Sequence, residues 1–184
     1  MNFVLFLQKY SNHQQLSKFG GWLASRENKT LKNLLIKIVI KLYNPNMQEA
    51  LIEDPYCYKS FNAFFTRKLK ANARPIHAEE NSIVSPVDGI LYAFGEMGKD
   101  EVFKAKAFNY SLNQLVVDKD ITQKFHQGSF CCQYLAPRDY HRVHMPFAGK
   151  LMKTIYVPGK LYSVDPNILE TIPGVFAKSI VAAG

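Results

Sequence analysis

Near residue 83 the chain changes texture, and this limits the folds open to it more than any other feature. Before that point apolar residues recur at helical spacing. After it come short β-like runs separated by turns: "IVSPVDGILYAFG", "EVFKAKAFNYSL", "GSFCCQYLAP" and "GKLMKTIYVPG". A doubly wound fold would alternate strands and helices along its whole length. Turn residues at fairly even spacing favour a compact β-rich part instead. The expected class is therefore α+β, with N-terminal helices followed by a β-rich core. The segments read as 1–44, 45–82 and 83–184, with the change from helix to strand falling near "RPIHAEENS" (74–82). At 184 residues and 47% hydrophobic content, the chain can build a genuine core.

Three stretches predict helices in the first segment. They are "NFVLFLQKY", then "QLSKFGGWLASR" broken at Gly20 and Gly21, then "TLKNLLIKIVIKLYN" with Thr30 as N-cap. In the third, Leu31, Leu34, Leu35, Ile38, Val39 and Leu42 share one broad apolar face, with Lys32, Lys37 and Lys41 outside it. Further on, Ser60 is the expected N-cap of a helix reaching about Lys70. Phe61, Phe64 and Phe65 would line its core side, and Arg67, Lys68, Lys70 and Arg74 its solvated side.

Charge is unevenly spread. Residues 1–76 hold 12 of the 23 Lys/Arg but only 4 of the 15 Asp/Glu. The excess points to an anionic partner for that part. Phe3, Phe6, Trp22 and the scattered lysines suit an interfacial membrane segment, although residues 30–44 alone read first as a core helix. Nucleic acid is not an expected partner, because the apolar content is high and no recognised module occurs. No run of about 18 apolar residues marks a transmembrane helix, and "FVLFL" is too short for a signal-peptide core. Cys57, Cys131 and Cys132 are odd in number and lack C-x-x-C spacing, as expected of ordinary thiols in a reducing compartment.

The chemistry-bearing residues gather in two strings. "SPVDGIL" places Asp88 in a turn before Gly89. "APRDYHRVHMPFAG" (136–149) puts two histidines and two arginines into seven positions between Pro137 and Pro146. Pro137 suits the first position of a short helix, and Asp139 its positive end. In a helical turn His141 and His144 share a face; in an extended segment they point to opposite sides. Pro146 keeps Met145 extended. Metal is not expected, since no carboxylate or cysteine follows the histidines at ligand spacing. A histidine held by a carboxylate such as Asp88 would act as a base.

"FNAFFTRKLKANARPI", "SPVDGIL", "AFNYSLNQLV", "YLAPRDYHRVHMPFAGKL" and "YVPGKLYSV" follow one another as they do in bacterial phosphatidylserine decarboxylase. The chain resembles the N-terminal portion of that family as far as about Lys178, and R-D-Y-H-R-V-H-M-P is its most specific string. The resemblance implies an enzyme of phospholipid biosynthesis that converts phosphatidylserine to phosphatidylethanolamine and CO₂. It also implies a peripheral seat on the cytoplasmic face of the bacterial inner membrane, with the phospholipid substrate and an anionic membrane surface as partners. The family's cofactor is a pyruvoyl group, made when a serine in a Leu-Gly-Ser-Thr motif attacks the preceding carbonyl and the chain splits into two subunits. On this sequence the resemblance makes Asp88 the orienter, His144 the base for that step and His141 the histidine of decarboxylation. It leaves Arg138 or Arg142 near the substrate's anions. Leu-Gly-Ser-Thr does not occur in these 184 residues. The expectation is thus an incomplete chain with a truncated β-rich catalytic core, inactive alone and lacking a C-terminal portion that includes the small subunit. The alternative is a non-enzymatic remnant that binds anionic lipid. Assembly as a homo-oligomer is left open.

Overall fold

The computed structural model describes residues 13–76, 79, 82–98, 102–105, 108–116, 118–157 and 181–183; the helix expected over "NFVLFLQKY" lies outside them. The described chain mixes helices with short strands in an α+β architecture, and none of its helices is long and apolar enough to cross a membrane. It divides into two compact units. One comprises Phe19–Ile90 and Gln133–Lys150, the other the described parts of Met1–Lys18, Leu91–Cys132 and Leu151–Gly184.

Helix α1 (His13–Ser25) runs unbroken through Gly20 and Gly21, contrary to expectation. Each glycine weakens a helix by about 1 kcal/mol relative to alanine, yet keeps its backbone N–H and carbonyl, so the pair does not end it. Helix α2 (Lys29–Tyr43) is capped by Asn28 rather than Thr30, with Asn28 Oδ1 accepting from Leu31 N at 3.0 Å. It stops at Asn44, whose φ of 48° is left-handed and whose N–H donates to the Ile40 carbonyl.

The buried side of α2 also differs from the expected apolar face. Lys32 and Ile36 are buried and Val39 and Ile40 pack beside them, whereas Leu34, Ile38 and Leu42 are exposed. Lys32 tolerates burial because its Nζ donates to the Tyr56 carbonyl at 2.6 Å and to Asn33 Oδ1 at 2.8 Å. Ile36 joins Tyr58 and Phe64 in the core, and the two rings meet edge-on at 5.9 Å. Burying side chains of this size stabilises by roughly 1.5–3 kcal/mol each.

Ser60 caps α3 (Phe61–Phe65) as expected, its Oγ accepting from Ala63 N at 3.2 Å. The helix then ends after five residues rather than reaching Lys70. Thr66 Oγ1 donates to the Asn62 carbonyl at 2.8 Å, and the chain turns extended. Leu69 bridges Ala50 antiparallel, with Leu51 N donating to the Lys68 carbonyl at 2.8 Å and Lys70 N to the Glu49 carbonyl at 2.9 Å. Pairing with residues 49–51 replaces the next helical turn.

The described strands form three two-stranded sheets. β1 (Ile90–Glu96) pairs with β4 (Ser129–Tyr134). β2 (Val102–Ala105) pairs antiparallel with β3 (Phe108–Ser111), and β5 (Ile155–Val157) antiparallel with β6 (Val181–Ala183). Helices α4 (Leu112–Leu115) and α5 (Lys119–Lys124) lie between β3 and β4. Asp118 caps α5 by accepting from Asp120 N and Ile121 N, and it also pairs with Lys153. Met97, Tyr110 and Leu112 form the buried centre of this unit.

Candidate active site

The two chemistry-bearing strings both contribute to the unit of Phe19–Ile90 and Gln133–Lys150. Gly89 closes the Asp88 turn with φ +132°, and a Cβ there would lie 2.3 Å from the Tyr134 carbonyl oxygen. Only glycine fits both demands. The turn presents the Asp88 carboxylate to Arg74. Nε of Arg74 donates to both carboxylate oxygens at 3.0 Å and Nη2 to Oδ2 at 2.7 Å. Arg74 Nη1 meets Glu49 Oε2 at 2.9 Å, so one guanidinium holds two carboxylates.

The helix expected after Pro137 is only a turn. Asp139 N donates to the Ala136 carbonyl at 2.9 Å, and Asp139 Oδ2 accepts from Ala136 N at 2.7 Å. The carbonyls of Arg138 and Asp139 accept from Arg67 Nη2 at 2.8 and 3.2 Å. Those two carbonyls would carry the next helical hydrogen bonds, so Arg67 ends the turn. Beyond it, His144 N donates to the Pro86 carbonyl at 2.8 Å and Val84 N to the Pro146 carbonyl at 2.9 Å. These bonds peg the histidine string to residues 84–86.

His141 stacks on Phe65, ring centroids 4.1 Å apart, and its Nε2 donates to the Ala136 carbonyl at 2.9 Å. A carbonyl only accepts, so the neutral ring carries its proton on Nε2 and leaves Nδ1 as acceptor. Burial pushes the His141 pKa below its ordinary value; the carbonyl bond opposes this and the Arg67 charge adds to it. His144 Nε2 lies 2.9 Å from the buried Tyr140 hydroxyl, and the two rings stack at 5.5 Å. Either group donates, according to the imidazole tautomer.

Asp88 and His144 line one cavity of about 260 Å³ together with Arg74 and Tyr140. Across it the partner of Asp88 is Arg74, and the partner of His144 Nε2 is Tyr140. Arg138 and Arg142 diverge. Arg138 lines a cavity of about 220 Å³ with Arg67, Arg74 and Asp139. Arg142 donates from Nε to the Thr66 carbonyl at 2.9 Å and lines another cavity, of about 420 Å³, beside Tyr58 and Lys68.

Sequence periodicity gives no site role to Arg67, Arg74, Tyr140 or Phe65. It puts the two arginines on the outer side of a helix longer than the real one, and the Thr66 back-bond marks where that helix stops. Tyr140 sits four residues before His144 in the same string, which is the one local signal of their pairing. Among the described residues, no group of three or more His, Cys, Asp or Glu is placed to hold a metal ion.

Fold and site together define an α+β protein whose histidine-bearing loop and Asp-Gly turn share a cavity. A family model described as phosphatidylserine decarboxylase matches residues 61–179, and a second, described as PSD, matches residues 6–44. The chain belongs to the phosphatidylserine decarboxylase family. It is similar to the phosphatidylserine decarboxylase proenzyme of Saccharophagus degradans, 44% identical over 174 residues, covering 94% of this chain and 61% of the relative. The proenzyme of Coxiella burnetii is likewise 44% identical, over 94% of this chain and 62% of the relative. That of Dechloromonas aromatica is 45% identical over 90% and 58%. The chain thus spans about three fifths of the length of these curated relatives.

Proposed function

We propose that this chain carries the histidine-bearing part of a phosphatidylserine decarboxylase, which releases CO₂ from phosphatidylserine and leaves phosphatidylethanolamine. The reading rests on the family match over residues 61–179, a span that contains Arg67, Arg74, Asp88, Tyr140, His141 and His144. The relatives are named proenzymes, which brings in the pyruvoyl group and its source serine. That serine would belong to a further portion of the protein, because no Leu-Gly-Ser-Thr occurs in these residues. A cavity of about 260 Å³ with a carboxylate, a phenol and an imidazole in its wall suits a serine that must lose its proton. When present, the pyruvoyl carbonyl supplies an electron sink.

The roles of the chain's own residues follow from their partners. His144 takes the serine proton during processing, and Tyr140 sets the tautomer. If the phenol donates to Nε2, the ring proton sits on Nδ1; if Nε2–H donates to the phenol oxygen, Nδ1 is the base. In the first tautomer Asp88 orients the ring by accepting from Nδ1–H while keeping Arg74, and Nε2 takes the proton once the serine hydroxyl displaces the phenol there. In turnover the bond from the α-carbon to the carboxylate breaks, CO₂ leaves, and the electron pair stays behind for a proton. His141, fixed through Nε2, takes a proton from solvent at Nδ1 and delivers it to that electron pair, returning to the neutral ring that burial favours. Arg138 and Arg142 hold the substrate's anionic groups. Exposed Phe19, Trp22, Leu34, Ile38 and Leu42, with Lys37 and Lys41 nearby, support a peripheral seat on the cytoplasmic face of the bacterial inner membrane.

The test combines the chain with the C-terminal portion of the Saccharophagus degradans relative and supplies carboxyl-labelled phosphatidylserine in mixed micelles. Labelled CO₂ is expected from the combination and from neither portion alone. His144→Ala should leave the serine portion uncleaved, whereas His141→Ala should cleave and turn over slowly. An associated pair that neither cleaves nor releases CO₂ would sink the reading.

A further inference from the structure

Arg67 is only 3% exposed, yet its Nε and Nη1 are buried without a hydrogen-bond partner among the described residues. Nη2 alone is engaged, by the carbonyls of Arg138 and Asp139. Most of the N–H donors of this guanidinium therefore lie on unsatisfied nitrogens. A buried charge in that state is costly, and native structures rarely leave one uncompensated. Burial depresses the Arg67 pKa, and the charges of Asp139, Asp88 and Glu49 offset that desolvation only in part.

The surroundings show what compensation is missing. Arg67 lines the cavity of about 220 Å³ that also has Arg74, Arg138, Glu49, Asp88 and Asp139 in its wall. The three carboxylates are already engaged. Glu49 and Asp88 are both held by Arg74, while Asp139 accepts from Ala136 N at 2.7 Å and faces Arg138 Nε at 3.8 Å. Asn46 spends its Oδ1 on Gln48 N at 3.1 Å, so its amide N–H₂ remains for an acceptor. Phe64 contributes only a ring face, 5.7 Å from the Arg67 guanidinium carbon. The unmet demand is for hydrogen-bond acceptors that carry negative charge.

We propose that this cavity is a phosphate-oxyanion site in which Arg67 is the principal ligand and Arg138 a second. A phosphate offers several oxygens that two guanidinium groups can share, which a single carboxylate does less well. The phosphate can come from a lipid headgroup, where it is a diester, or from free phosphate. If the headgroup is the source, the site deepens the decarboxylase reading; the binding itself does not depend on decarboxylation.

The purified full chain is titrated with inorganic phosphate, with glycerophosphoserine, and with acetate and chloride at matched ionic strength. Calorimetry and the melting temperature are the readouts, and no CO₂ is measured, so the outcome stands apart from that of the decarboxylase assay. Both phosphates are expected to bind saturably and raise the melting temperature, while acetate and chloride do not. A preference of about tenfold for the diester identifies the headgroup as source, and the reverse preference identifies free phosphate. Arg67→Lys, if folded by circular dichroism, should weaken phosphate binding about tenfold, as expected for loss of a charge-assisted contact. Arg138→Gln alters an exposed side chain, should preserve the fold, and should weaken binding about threefold. Phosphate behaving like acetate, or Arg138→Gln binding phosphate as tightly as the parent, would overturn the proposal.

Discussion

Arg74 grips Asp88 through three hydrogen bonds of 2.7–3.0 Å, placing a cation against the carboxylate that faces the same cavity as His144. Both side chains remain partly exposed, at 46% and 24%, so water screens the pair. Arg74→Gln should therefore cost no more than about 1 kcal/mol in urea unfolding, and added salt should shrink the difference. A loss several times larger, insensitive to salt, would mean that the pair is effectively buried.

His141 predicts a pH dependence of stability. Its native pKa lies below the ordinary 6.5, chiefly because burial disfavours the charged ring. Between that depressed value and 6.5 the unfolded chain binds more protons than the folded one, so stability rises with pH across the window. The contribution is fully present above pH 6.5 and is lost as pH falls toward the native pKa. His141→Gln should flatten this part of the profile, measured by urea denaturation at half-unit pH steps. An unchanged slope in the variant would assign the dependence to other groups.

Gly89→Ala addresses the turn that presents Asp88. The substitution demands a positive φ from alanine and sets its Cβ against the Tyr134 carbonyl. The backbone cost alone is about 1–3 kcal/mol, and the clash adds to it. The melting temperature of the variant should fall by several degrees, and Gly20→Ala, which has open space around it and lies within a helix, should not lower it.

Features with local causes were legible in the sequence: the Ser60 cap, the Asp88-Gly89 turn, and most of the β-like runs. Each has a local signal within about four residues, even where a distant partner such as Tyr134 or a paired strand completes it. The family resemblance was legible for the same reason, since R-D-Y-H-R-V-H-M-P is a contiguous string. The partnerships across the site were not. Arg67 meets the carbonyls of residues 71 and 72 positions away, and Arg74 meets a carboxylate 14 positions away. Helical periodicity places both arginines in solvent; Arg74 is exposed, but Arg67 is buried, because periodicity cannot foresee the strand-like bridge that ends α3 at Phe65. The same limit explains α2. Hydropathy ranks Leu34, Ile38 and Leu42 as core, yet the buried positions are Lys32 and Ile36, chosen by what Tyr56, Tyr58 and Phe64 offer opposite them.

That exposed face of α2 bears on membrane binding. Leu34, Ile38 and Leu42 recur every four residues and so share one side of the helix, and all three are exposed together with Lys37 and Lys41. Phe19 and Trp22 are exposed as well, and Arg26 lies 4.1 Å from the centre of the Trp22 ring. Apolar side chains of this kind enter the acyl boundary, while each nearby lysine is attracted to an anionic leaflet by about 1 kcal/mol. The full chain should therefore co-sediment with phosphatidylglycerol vesicles and much less with phosphatidylcholine vesicles. Salt, screening over about 8–10 Å, should weaken the binding without abolishing it, because the apolar contribution persists. Replacing Leu34, Ile38 and Leu42 together by serine should remove the salt-resistant part while preserving the fold, since Ile36 rather than these residues holds α2 to its core. Equal and negligible sedimentation with both lipids would leave this face without a membrane role.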